Sequence, residues 1–189
     1  MRKMKSLLCV LLTMIISLGS MVTVKADTEI KPYENKENAV LLKREYIDLD
    51  EDTVIEIESY EEKIPSLARA GWKTTSAIKT YRVKDKNTNT VFVKYILKAT
   101  FRYNGKKAEC TNATPDCKIL VPNVYKVITK DASKAGDVAL GYFYCQHIKT
   151  GKGAGGAGSI RKITTTKNGK TYTYWQGRYT EGFDPGTGK

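Results

Sequence analysis

The sequence predicts an all-β protein: an immunoglobulin-like antiparallel β-sandwich, with a small β-barrel as the alternative. Three observations carry this expectation. First, Val91–Tyr103 alternates for 13 positions, with Val91, Val93, Tyr95, Leu97, Ala99, Phe101 and Tyr103 on one side of the chain. Phe92, Lys94, Ile96, Lys98, Thr100 and Arg102 fall on the other, which is the period of a strand buried on one face. Second, Asn104-Gly105 and Asn168-Gly169 are hairpin dipeptides, suited to turns whose central residues need positive φ. Third, no segment carries a convincing amphipathic helix period, and roughly seven strand-like runs fit within about 110 residues.

Taken in chain order, residues 1–26 have the zones of a secretory signal peptide. Arg2, Lys3 and Lys5 precede the apolar run Leu7–Leu18, and Val24-Lys25-Ala26 offers short residues to signal peptidase before Asp27. Reaching the length of a membrane span would require Thr13, Ser17, Gly19, Ser20 and Thr23 inside the apolar stretch. The expected location is therefore secreted, extracellular or loosely associated with the cell surface.

Residues 27–71 form an acidic extension. Residues 27–64 hold 13 Asp+Glu against 5 Lys+Arg, whereas residues 65–189 hold 7 against 23. Val40–Asp48 and Thr53–Tyr60 are rich in β-branched and aromatic residues and flank the polar stretch Asp48–Asp52, a hairpin pattern. Ser66–Gly71 reads as a linker. The basic domain is expected over residues 72–182, and residues 183–189 as a loose tail.

Within the basic domain, Ile78–Lys84 supplies a strand before Val91–Tyr103, and Lys106–Thr111 folds back after Asn104-Gly105. Val124–Lys130 and Val138–Ile148 alternate, the latter placing Val138, Leu140, Tyr142 and Tyr144 together. Ser159–Lys167 and Lys170–Gln176 are the arms of the last hairpin.

Three cysteines follow the leader, Cys110, Cys117 and Cys145, so outside the cytoplasm one disulfide and one spare thiol are expected. Cys110–Cys117 would staple a turn over Asn112–Asp116. Cys110–Cys145 is the alternative, tying two strands across the domain.

The chemical motifs favour plain readings. Gly151-Lys152-Gly153-Ala154-Gly155-Gly156 matches G-x-G-x-x-G, but the β-branched run that follows is no phosphate-binding helix. The tract is expected as a flexible loop, and no cofactor or nucleotide as a ligand. Cys145 and His147 share a strand face, yet the spacing of the three cysteines and this histidine lacks the tight Cys pair usual for structural zinc. No catalytic or metal residue is assigned, and an enzyme is not expected. Tyr172, Tyr174 and Trp175 form an aromatic patch among cations that suits sugars or bases. The favoured reading is plainer: one face of the strand is core and the other a rim.

The charge is the remaining signal. Lys79, Lys94, Lys98, Lys126, Lys130 and Lys162 on strand faces would give an electropositive surface for an anionic cell-wall polymer or membrane surface. Nucleic acid is the less favoured partner in that compartment, and the sequence leaves the oligomeric state open. A non-enzymatic, envelope-associated protein is therefore expected. The alternative is a secreted bacteriocin- or toxin-like effector whose acidic segment masks the basic domain until cleavage near Ala68–Gly71.

The order of leader, acidic β-rich front, short linker and aromatic strand resembles small secreted β-sandwich proteins of Gram-positive, clostridial-type bacteria. The likeness rests on Thr100-Phe101-Arg102-Tyr103-Asn104-Gly105, on Cys110 soon after, and on Ala132-Ser133-Lys134-Ala135-Gly136. It spans residues 40–170 and implies an exported β-sandwich. It transfers no catalytic residue.

Overall fold

A computed structural model describes residues 38–62, 71–167 and 170–181. The expected leader, the Asn168-Gly169 turn, the tail and most of the linker lie outside them. Among the described residues there are nine strands and no helix. They are β1 (Ala39–Asp48), β2 (Thr53–Glu62), β3 (Lys73–Asp85), β4 (Val91–Tyr103), β5 (Ala108–Ile119), β6 (Tyr125–Ala135), β7 (Val138–His147), β8 (Gly153–Lys167) and β9 (Lys170–Glu181).

They make two antiparallel sheets, of order β1-β2-β3-β4-β5 and β6-β7-β8-β9, which are not closed into a barrel. Within each sheet, every strand pairs with its neighbours in sequence. This meander contrasts with the Greek-key crossings of the immunoglobulin order. The acidic hairpin continues the first sheet, since β2 pairs with β3 from Thr53↔Asp85 to Glu62↔Ser76. Its turn is held by Asp50, whose Oδ1 accepts the amides of Asp52 (3.1 Å) and Thr53 (2.8 Å).

The core lies between the sheets. Ile55 and Ile57 of β2, Val83 of β3, and Val93, Tyr95, Leu97 and Phe101 of β4 meet Ala139, Phe143 and Cys145 of β7 and Ile160 of β8. Aromatic rings dominate its centre. Tyr95 stacks on Phe143 (centroids 5.0 Å apart), and Tyr81 tilts against Tyr95, Phe143 and Tyr179 at 5.4–5.7 Å.

The glycine tract makes room for those rings. Gly153–Gly158 lies in β8 rather than in a flexible loop. A methyl group at Gly158 would collide with the Tyr81 hydroxyl, and one at Gly141 on β7 would lie 2.6 Å from the Tyr95 hydroxyl. A bare backbone thus takes the rings of the opposite sheet, as glycine in a strand often signals. Of the tract expected as a loop, residues 153–156 lie in a strand instead.

Two other expectations change, and a third gains a face. β5 runs unbroken through Asn112–Asp116, where a turn was expected, and it tolerates Pro115 because it is an edge strand. At Asn104-Gly105 only the glycine has positive φ (82°). The connection is a longer loop in which Asn104 Oδ1 accepts the amides of Lys106 and Lys107, both at 3.0 Å. Finally, Val138, Leu140, Tyr142 and Tyr144 do share a face of β7, but it is the half-exposed one. Ala139, Phe143 and Cys145 fill the core.

Candidate polyanion interface

Two edge strands border the same flank of the sandwich, β5 from one sheet and β6 from the other. The Cys110 amide donates to the Gly136 carbonyl (2.7 Å), and Lys134 Nζ reaches the Thr111 carbonyl. Edge strands favour lysine because charge discourages further pairing. Lys118 on β5 and Lys126, Lys130 and Lys134 on β6 are all exposed, and the β4–β5 loop adds exposed Lys106 and Lys107. Acids are sparse along this flank. Glu109 is taken by Arg102 (2.8 and 3.0 Å), whose hydrogen bond holds its carboxyl below the ordinary value. Asp116 and Asp131 remain exposed.

Of the six cations expected to form the surface, only Lys126 and Lys130 belong to this row. Lys79, Lys94 and Lys162 are 2%, 7% and 4% exposed, which removes them from any polymer-binding surface. They sit on the interior strands β3, β4 and β8, where side chains of the flanking strands crowd around them. Lys162 pairs with Glu61 (3.4 Å) and lies over the Tyr103 ring; burial lowers the pKa of both Lys94 and Lys162. Lys98 is half-buried and 4.0 Å from Glu62. Lys118, Lys134, Lys106 and Lys107 were missed. The recurrence of lysine at positions 126, 130 and 134 was the available signal.

Other clusters have structural explanations. On the outer face of the first sheet, Arg82 bridges Glu56 (2.7 Å) and Glu58, Lys84 holds Glu56 (2.9 Å), and Arg44 and the Tyr60 hydroxyl (2.7 Å) also donate to Glu58. A network of this kind is self-neutralising. At one end of the sandwich, a cleft of about 680 Å³ is lined by Asp50, Asp52, Asp85, Phe92, Tyr125, His147 and Lys152. There Lys152 is 3.4 Å from Asp50, His147 Nδ1 accepts the Thr150 amide (3.2 Å), and its ring meets Tyr125 edge-on. No group of three or more metal-ligating side chains occurs among the described residues.

The three cysteines among the described residues are unpaired. Cys110 and Cys117 lie on one extended strand, about 23 Å apart at about 3.3 Å per residue, far beyond the reach of a disulfide. Cys110 lies beside Gly136, while Cys145 is near the far end of β7, so that pairing fails too. Cys145 Sγ donates to the Ala154 carbonyl (3.0 Å), and burial pushes its thiol up to about 12, the reverse of what a nucleophile beside His147 needs. Burial likewise raises Cys117 to about 11, against the pull of Lys130.

In the aromatic patch, Tyr174 is exposed and pairs with Ile163. The side chains of Tyr172 and Trp175 lie outside the described residues. No family model, curated protein or solved structure matches this chain.

Proposed function

We propose that this chain is an exported, non-enzymatic β-sandwich that associates with an anionic polymer of the cell envelope along the β5–β6 flank. The observation that carries the reading is the row Lys118, Lys126, Lys130 and Lys134, extended by Lys106 and Lys107, on two adjacent edges with few open acids. Lys130 and Lys134 stand four residues apart, about 13 Å along an extended strand, while a bulge between Val127 and Thr129 sets Lys126 on the other face of β6. That separation exceeds the Debye length of about 8 Å at physiological salt, so each contacts a flexible polyanion almost independently. The leader pattern and the likeness to small exported β-sandwich proteins of Gram-positive bacteria support the compartment. The fold weighs against a removable acidic segment, because cleavage near Ala68–Gly71 would detach β2 and take Ile55 and Ile57 from the core.

The test is binding to immobilised polyphosphate and to purified wall polymer across a salt series. Replacing Lys126, Lys130 and Lys134 together by glutamine removes three contacts, each worth about 0.7 in the slope of log K against log salt. The slope should fall by about 2, so that between about 0.05 and 0.2 M salt the variant loses about 20-fold less affinity than the parent. A control with Lys73 and Lys149 replaced should keep the parent slope. An unchanged slope in the triple variant, or no binding by the parent at low salt, removes the reading.

A further inference from the structure

On the far side of the sandwich from the lysine row, the two sheets leave a cleft of about 190 Å³ between β1–β3 and β8–β9. We propose that this cleft binds a small aliphatic monocarboxylate, with its carboxylate on the Lys79 ammonium and its chain against Leu42, Ala77 and Ile160.

The first support is the placement of the amine. Lys79 points inward between the sheets and is 2% exposed, yet its Nζ has one hydrogen-bond acceptor among the described residues, the Arg178 carbonyl at 3.1 Å. The Tyr81 ring lies 5.8 Å away, and the Glu45 and Lys43 charges act on the amine from the cleft wall in opposite senses. An ammonium carries three donors, and a buried one without an anion is costly. Gly177 forms part of the wall, where a methyl group would lie 3.2 Å from this nitrogen, so the bare backbone preserves the space beside it.

The second support is charge balance, which selects the ligand class. Glu45 also lines the cleft, but its Oε1 is taken by Lys43 at 2.6 Å. That pair is self-compensated and leaves one net positive charge, on Lys79. One carboxylate matches it; a phosphate dianion would face the Glu45 carboxylate with surplus charge. The remaining walls are largely carbon, and the volume is below the roughly 300–1,000 Å³ of sites for drug-sized ligands, so the ligand is short. Burial lowers Lys79 to about 8, which is consistent with an amine waiting for a counter-anion.

Hexanoate, hexanol and hexylamine serve as probes, titrated into the full chain by calorimetry and NMR at neutral pH. Hexanoate should bind about tenfold or more tightly than hexanol, and hexylamine more weakly than either. Lys79→Met, with its thermal midpoint confirming the fold, should bring hexanoate down to the level of hexanol, and Glu45→Gln should tighten hexanoate. Bound hexanoate should also protect Lys79 from reductive methylation, read by mass spectrometry. Absence of hexanoate binding, equal affinity for hexanol, or undiminished binding by Lys79→Met would overturn the assignment. The lysine-row variant should bind hexanoate as the parent does, which separates this site from the polymer interface.

Discussion

Arg82 is the centre of the charge network on the outer face of the first sheet, and replacing it with methionine measures what the network contributes. Arg82 lies within hydrogen-bond reach of both Glu56 and Glu58, and the Glu58 side chain is only 2% exposed. Removing one partner of a buried pair typically costs about 3–5 kcal/mol, because the other charge is left behind. In this network neither glutamate is stranded, since Glu56 keeps Lys84 and Glu58 keeps Arg44 and the Tyr60 hydroxyl. The expected loss is therefore at the lower end, about 3 kcal/mol. Urea unfolding at pH 7, with the slope compared between variants, gives the number. The network also has a pH signature. Burial acts to raise the Glu58 carboxyl, but hydrogen bonds from Arg82, Tyr60 and Arg44 outweigh it and hold the folded value below 4.5. The stability this supplies is complete above pH 4.5 and is lost as pH falls through the lower folded value. Arg82→Met should flatten that acid limb. A loss under about 1 kcal/mol with an unchanged urea slope would refute the buried network.

Other outcomes are equally specific. Gly158→Ala should cost about 1–3 kcal/mol by driving a methyl group into the Tyr81 hydroxyl. That hydroxyl is buried and has no hydrogen-bond partner among the described residues, so Tyr81→Phe should be nearly neutral and should rescue Gly158→Ala in a double-mutant cycle; strict additivity would contradict the contact. Lys79 titrates at about 8 when folded and at 10.5 ordinarily, so the unfolded chain binds more protons between those values and stability should rise with pH across them. Lys94 and Lys162 are lowered as well and act with the same sign, so Lys79→Met should reduce that rise without abolishing it, as thermal unfolding at pH 8 to 10.5 would show. Peptide mapping without reductant should find neither a Cys110–Cys117 nor a Cys110–Cys145 link, and recovery of either would contradict the strand assignments of β5 and β7.

Much of the architecture was legible because the pattern is strict where one face is buried. Val91–Tyr103 and the Asp48–Asp52 turn are observed where the alternation placed them. What failed was composition read without position. Pro115, Asn112 and Asp116 look like a turn, but on an edge strand they are admissible. The glycines of β8 read as a loop, yet the side chain that occupies the empty Cβ position of Gly158 is Tyr81, over 70 residues away in sequence, which no local window sees. The charged site was only partly legible for a related reason. Alternation assigns a lysine to a face but does not say whether the next strand covers it. Lys79 and Lys126 therefore look alike in sequence and differ entirely in the fold.

The meander order has a consequence for how the molecule can be taken apart. Each sheet is encoded by one contiguous stretch, and the chain passes between them at Leu120–Val124. A break at that crossing would cut no strand. It would yield two pieces, each with all the strands of its sheet and each exposing half of one aromatic core. Tyr81 and Tyr95 on one piece, and Gly141 and Gly158 on the other, would act as matched teeth and sockets. The two pieces should therefore complement one another in trans, giving a split protein whose reassembly is set by shape.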